Sequence, residues 1–467
     1  MLALKTLPLR LATLALVLGA ACTGPPASER RPQRPDLILV IIDTWRWDAL
    51  GANGSARPEI TPSLDGLARR GARFSRAFAS SPWTMTSVAS ILTGHSPTVH
   101  GAFGRLDDVS SIRPEISTVA QRLSDGGYRT LGVVNAPFLD SSLGFDRGFD
   151  SYDYHPSSNR HSRRAGEATD VALRLLRESG TDGDPVFLLL HLFDPHLSYD
   201  PPPPWNRRWT GSYDGRLRPH RILASEMRRG SFHPSSEDLA YVRALYDGEV
   251  AYTDRALGAF FDRLETEFGT RDRWIVITSD HGEELGDHQG WEHGHSMYRE
   301  LIQVPLIVVP PASSQPSGGV VVDTQVRLVD IMPTLLEVAG IEPASSLEGR
   351  SLLPLMRGDA PARDRPAYSE EVHLGIPSKA LREEGLTLIV FEEDRPPELY
   401  DQLADPAEGS NLAASRPERV GLLTQRLRTV SEFLDARAAA LGSPRKLEEL
   451  DPELEEQLRA LGYLGGG

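Results

Sequence analysis

The run Asp36-Leu-Ile-Leu-Val-Ile-Ile42 constrains the fold of this chain more than any other stretch. A continuous apolar, β-branched segment makes a strand buried on both faces. Such a strand needs covering layers above and below its sheet. The neighbouring sequence supplies them. Strand-like runs recur at Arg129–Val134, 186–190, 274–278 and 304–309, with helical stretches at 117–124 and 239–268. Another helix opens at Thr61-Pro62, Thr as N-cap and Pro at the first position, and closes at Gly71. This alternation predicts an α/β fold, a mostly parallel central sheet sandwiched by helices. Beyond residue 360 the pattern changes. Leu386–Phe391, the Arg395-Pro396-Pro397 turn and the segment 398–400 predict an antiparallel hairpin, and 422–434 an amphipathic helix. The expected division is a main domain over 35–360 and a smaller α+β subdomain over 361–467, ending in a tail helix at 447–464.

The N-terminus is expected to lie outside the fold. Lys5 and Arg10 lead into an apolar run over 11–18, then Gly19-Ala20-Ala21-Cys22. A basic start, a short apolar core and small residues make a secretory signal, too short for a membrane span. The small-small-Cys ending predicts a lipid-anchored, exported protein with residues 1–22 removed or modified at Cys22; plain cleavage and release is the other reading. Residues 23–34, rich in Pro, Ser and Arg, form a tether. Cys22 is the only cysteine of 467 residues, which excludes an intramolecular disulfide and a thiolate metal site. A net charge of −15 argues against a nucleic-acid partner.

The chemistry gathers where the strands end. Asp43-Thr44 follows the first run, Asp194 and His196 the run at 186–190, and Asp280-His281-Gly282 the run at 274–278. Open α/β sheets bind ligands beyond the carboxyl ends of their strands. Carboxylates and imidazoles brought to one crevice repel one another unless a cation holds them. Mixed Asp/His ligands suit zinc or manganese, and calcium less readily. Thr84 begins the segment Thr84-Met-Thr-Ser-Val-Ala-Ser-Ile-Leu-Thr-Gly94, helical in character and closed by Gly94. A hydroxyl at a helix N-terminus is placed where an anion is favoured. His293 and His295 lie in Trp-Glu-His-Gly-His-Ser, whereas His95 and His100 flank the turn after Gly94 and are expected to be structural.

Ordered along the chain, these segments resemble the sulfatase family of the alkaline-phosphatase superfamily from about residue 35 to 412. Ile-Ile-Asp43-Thr-Trp-Arg46-Trp-Asp48 resembles its first metal motif, Thr84 to Gly94 its nucleophile signature, Asp194-Pro195-His196 its Pro-His segment and Thr278-Ser-Asp280-His281-Gly282-Glu283 its second metal motif. His293-Gly-His295-Ser-Met-Tyr298, Val329-Asp330-Ile-Met-Pro333-Thr334, Gly349-Arg350-Ser and Glu398-Leu-Tyr400-Asp401 match later landmarks.

The chain departs from that pattern at the nucleophile. The family places there a Cys or Ser that becomes formylglycine; Thr84 would give a ketone instead. The Arg four residues on is Val88, the second acidic residue of the first metal motif is Thr44, and the family's anion-binding Lys and His give way around Asn135 and Pro137. What remains resembles relatives that use a threonine alkoxide on phosphate esters. The resemblance then implies a divalent metal on Asp43, Asp280, His281 and Thr84, with Asp194 available to a second ion. It implies Thr84 as nucleophile, leaving-group stabilisation by His196 and by His293 or His295, and anion contacts from Asn135 and Arg46. Arg46 can equally pair with Asp48. The expected substrate is a small-molecule, glycan or lipid ester, phosphate or phosphonate ahead of sulfate. A phosphoglycerol- or phosphoethanolamine-type transferase and a non-catalytic binding protein stay open as other classes. Trp45, Trp47 and Trp83 are expected to be packing or to line a substrate pocket.

Overall fold

The computed structural model describes residues 34–446, apart from 105–108, 156–162, 181–182, 220, 270, 316–317, 360, 362 and 393. The expected signal, the tether up to residue 33 and the tail helix therefore lie outside the described residues.

Strand β1 (Asp36–Ile42) is buried at every position, as its unbroken apolar run requires. It occupies the middle of a nine-stranded sheet with β2 (Ala72–Phe78), β3 (Arg129–Val134), β4 (Ser151–Tyr154), β5 (Val186–Leu192), β6 (Arg273–Ser279), β9 (Gln303–Val309) and the short β10 (Val320–Val322) and β11 (Val326–Arg327). The order is β10-β2-β9-β6-β1-β5-β3-β4, with β11 also on β2. Between β6 and β9 the chain makes a small hairpin, β7 (Glu284–Leu285) with β8 (Trp291–Glu292). β1 pairs in parallel with β5 and β6, so three carboxyl ends lie side by side. β9 runs antiparallel to β6 and β2; the other pairings are parallel. Two hydrophobic clusters cover the sheet, one on each face. Leu37, Leu39 and Ile41 enter one and Ile38, Val40 and Ile42 the other, the period-two alternation of a pleated strand.

The helix Ser236–Phe268 begins on a capping box, Ser235 with Asp238, and packs its apolar residues into the second cluster. Among the described residues no helix is long and apolar enough to cross a membrane. The helix expected from Thr61-Pro62 spans Pro62–Ala68, but Thr61 does not cap it with its side chain. Its hydroxyl accepts the Gly51 amide instead.

The C-terminal part is a separate four-stranded antiparallel sheet: β12 (Ala367–Ser369), β13 (Ser378–Glu383), β14 (Leu386–Phe391) and β15 (Glu398–Asp401), in that order. The expected hairpin is β14–β15. The helix predicted at 422–434 runs from Pro417 to Ala439, burying Leu423, Leu427 and Leu434.

Candidate active site

Asp43 follows β1 directly, and its amide continues the ladder by donating to Leu192 O on β5 (2.9 Å). Asp280 and His281 follow β6. Ser279 ties the two ends together: its Oγ lies 2.6 Å from the carbonyls of both Ile42 and His281 and accepts from the Trp45 amide. The chain must turn sharply after Asp43, and Thr44 does so at φ 53°, a left-handed conformation rare for a β-branched residue. The strain, typically about 1–3 kcal/mol, is of the kind found at functional sites. It aims the Thr44 amide at Asp280 Oδ1 (3.3 Å). Gly282 is needed for a different reason. A Cβ there would lie 1.9 Å from the Glu300 carbonyl oxygen, so only glycine lets the two backbones meet beside His281.

Thr84 is the first residue of the helix Thr84–Thr93, whose cap is Trp83. The first turn of a helix leaves N–H groups without intrahelical partners and favours negative charge. Ser87 anchors this helix to the metal-motif loop by donating from Oγ to Asp280 O (2.6 Å). Thr84 Oγ1 stands 3.1 Å from His281 Nε2. The His281 Nδ1–H donates to the Gly282 carbonyl (2.9 Å), which fixes the tautomer and leaves the Nε2 lone pair facing the site. His281 Nε2 is 3.8 Å from Asp43 Oδ1 and 3.5 Å from Asp280 Oδ2.

Asp43, Asp280 and His281 offer ligand atoms within 4.8 Å of one another, all fully buried. Both Asp43 oxygens, Asp280 Oδ2 and Thr44 Oγ1 are buried without a hydrogen-bond partner. Burial, then the Asp280 and Glu283 charges, push the Asp43 carboxyl well above its ordinary range. Unpaired buried carboxylate oxygens cost about 1–3 kcal/mol or more each. A divalent cation would satisfy the Asp43 and Asp280 oxygens that face it and offset their charge, so the donor set fits one. A second group within 4.8 Å, Glu284, His288 and Glu300, is an ion-pair network: Glu284 binds His295 and Ser296, and His288 binds Glu300 and the Glu408 carbonyl.

Three imidazoles line up from the trio. His293 packs against His281 (ring centroids 4.5 Å) and His196 packs edge-on against His293 (5.0 Å). His293 Nδ1 meets Glu283 Oε1 at 3.0 Å. Burial pulls His196 down to about 4 and His293 well below its usual value, so both are neutral at pH 7. Beside Trp83 a cavity of about 240 Å³ is lined by Thr86, His373, Ser378, Lys379 and Glu392. Trp83 packs in tilted contact with His373 and Phe138.

With this geometry in place, the comparisons are decisive for family. The Sulfatase family model matches residues 35–341. The chain belongs to the sulfatase family. A model described as N-sulphoglucosamine sulphohydrolase, C-terminal, matches residues 286–432 of this sulfatase-family chain. The ulvan-active sulfatase of Formosa agariphila is 24% identical over 93% of this chain and 86% of its own length. The multifunctional alkaline phosphatase superfamily protein PehA of Trinickia caryophylli is 26% identical over 81% of this chain and 91% of its own. The phosphonate monoester hydrolase of Agrobacterium radiobacter has the same fold, with a TM-score of 0.71 at 24% identity over 86% of this chain and 96% of that one. The protein is a sulfatase-like ester hydrolase.

Several members of the expected site are engaged elsewhere in this sulfatase-family chain. Arg46 is clamped by Asp48 (2.9 Å), Asp287 (2.5 Å) and the Glu283 carbonyl (2.7 Å), the Asp48 pairing that the sequence left open beside an anion contact. Asn135 is engaged within the sheet. Its amide nitrogen donates to the His191 carbonyl and its oxygen accepts from Arg163 Nε (2.6 Å), a brace between β3 and β5. Asp194 accepts the Ala165 amide (2.6 Å) at the start of the helix Ala165–Glu178 and is not among the clustered donors. His295 is held by Glu284 (2.6 Å) and lacks the ring contact that His293 makes with His281. His100 bonds Ser90 and the Ala102 amide, and His95 faces Glu348, both structural as expected. The three tryptophans do not cluster. Trp45 is core, Trp47 donates to Ser75 O under Arg299, and only Trp83 lines the cavity. The sequence names Glu283 only as the tail of a metal motif, with no task of its own, and hides His191 as one polar letter inside an apolar strand.

Proposed function

We propose that this chain is a metal-dependent hydrolase that works through a covalent intermediate on Thr84, with phosphate or phosphonate esters slightly favoured over sulfate esters. The contact between Thr84 Oγ1 and His281 Nε2 carries the reading. A divalent cation, zinc or manganese ahead of calcium by the mixed donor set, would lower the hydroxyl's pKa and offset charge on the bound ester. Asp43, Asp280 and His281 would hold that ion. The first turn of the helix Thr84–Thr93 presents N–H groups to the tetrahedral anion. Thr84 gives up its proton to solvent and Oγ attacks the phosphorus; the ester bond breaks and the departing oxygen takes a proton from water, with His293, oriented by Glu283, and His196 beside it to stabilise the leaving group. Water then cleaves the phosphothreonine and restores the hydroxyl. The cavity beside Trp83 would take the alcohol part, a sugar or other small-molecule group.

The absence of a cysteine or serine at position 84 supports phosphate over formylglycine-dependent sulfate chemistry. Sulfate esters are the second reading, supported by the likeness to the ulvan-active sulfatase. We further propose an exported, lipid-anchored protein, and a catalytic domain over 35–360 with the small sheet as a C-terminal subdomain. Purified protein assayed on paired aryl phosphate, aryl phosphonate and aryl sulfate substrates tests the reading. Faster turnover of the phosphorus esters, lost in Thr84→Ala, is expected. Sulfate turnover that disappears in Thr84→Ala while phosphorus esters stay inert would refute the preference. Binding without turnover would place the chain among non-catalytic relatives.

A further inference from the structure

The proposed reaction leaves His191 without a task. It lies near the end of β5, opposite Ile41 of β1 in the parallel register, and is fully buried. Neither ring nitrogen has a hydrogen-bond partner. Its Nε2 stands 3.8 Å from Asp43 Oδ2, while Asp43 Oδ1 stands 3.8 Å from His281 Nε2. Asp43 thus sits between two imidazoles, one for each carboxylate oxygen.

A buried imidazole with two unpaired nitrogens destabilises a strand whose neighbours are Leu190 and Leu192. An apolar side chain would pack better there, so packing does not explain the residue. The needs of Asp43 do. If Oδ1 faces a cation, Oδ2 remains in a dry interior and requires a donor. Outer partners of this kind fix ligand orientation and metal affinity. The requirement is sharper because position 44 carries a hydroxyl and no carboxylate. His191 stands outside the group of donors within 4.8 Å of one another, so it is placed to hold a ligand and not to be one. Its own backbone is held by the brace from Arg163 through Asn135 to the His191 carbonyl.

We propose that His191 is a positioning residue for the cation site: when a cation binds, its imidazole N–H closes the 3.8 Å gap to Asp43 Oδ2 and thereby turns Oδ1 toward Asp280 and His281. The proposal rests on the reading of that trio as a divalent-cation site, and not on which ester is cleaved.

The test is Mn²⁺ binding to the full chain, stripped with chelator and titrated while free Mn²⁺ is followed by electron paramagnetic resonance. Wild type is compared with His191→Leu and His191→Gln, each also melted in the metal-free state. His191→Leu should weaken Mn²⁺ binding by about 10–100-fold. The same variant should melt at the same or a higher temperature without metal, because it removes two unpaired nitrogens from the core. His191→Gln, which keeps a donor, should bind within a few-fold of wild type. Unchanged affinity in His191→Leu overturns the proposal. So does a fall in metal-free stability together with affinity that Gln fails to restore, the mark of a merely structural residue. A second imidazole nitrogen coupled to bound Mn²⁺ in the wild type, absent from His191→Leu, would make His191 a ligand and overturn it as well. Failure of wild type to bind Mn²⁺ would sink the cation reading itself, whereas binding without ester turnover would sink only the hydrolase reading.

Discussion

Thr84 Oγ1 and His281 Nε2 lie 3.1 Å apart although 197 positions separate the two residues. The hydroxyl stands at a helix start and the imidazole at a strand end, and the Ser87–Asp280 hydrogen bond holds the two elements together. Thr84→Ala should therefore lower turnover by roughly 10³-fold or more without unfolding the protein. Thr84→Ser, which keeps the oxygen, should retain a measurable fraction. Steady-state rates on an aryl phosphate, with circular dichroism as the fold control, check both.

Chelation should abolish turnover, and zinc or manganese should restore it better than calcium. The same ions should raise the melting temperature. At a ligand concentration of 100 Kd the stabilisation expected from mass action is about 2.7 kcal/mol. Differential scanning fluorimetry across metal concentrations reads it directly.

Arg46 provides a test of structure against substrate binding. Its buried guanidinium faces Asp48 and Asp287. Arg46→Ala should destabilise the protein by about 2–4 kcal/mol, the partly exposed partners keeping the loss below that of a fully buried pair. KM should stay within a few-fold. A large rise in KM at unchanged stability would return Arg46 to the substrate.

His288 predicts a pH dependence of stability. Burial pulls its imidazole down, but the Glu300 hydrogen bond and charge outweigh burial and hold it at about 9. Because the folded value lies above the ordinary value near 6.5, the contribution is full below about pH 6.5 and is lost as pH rises through 9. It should amount to about 1–2 kcal/mol after solvent screening. Urea unfolding between pH 6 and pH 10 should show the decline in wild type and a flatter profile in His288→Gln.

Some of this was legible before the structure and some was not, for physical reasons. The strands β1, β3, β5, β6 and β9 announce themselves because burial on both faces forces an unbroken apolar run. β13 (Ser-Lys-Ala-Leu-Arg-Glu) and β2 carry polar and charged residues along their length, and no periodicity marks them. The trio Asp43, Asp280 and His281 follows from strand ends that topology must gather. The fates of Arg46 and Asn135 depend on Asp287 and Arg163, distant partners that nothing in the local sequence names. His191 hides because a strand pattern records it only as an interruption.

The central claim, that Thr84 becomes covalently bonded to the substrate's phosphorus, is tested most directly by acid-quenching the enzyme during turnover of an aryl phosphate and mapping peptides by mass spectrometry. The account predicts one phosphoryl group on the peptide containing Thr84, absent from Thr84→Ala and from metal-stripped protein. Undiminished turnover in Thr84→Ala, with no adduct on that peptide in the wild type, would contradict it.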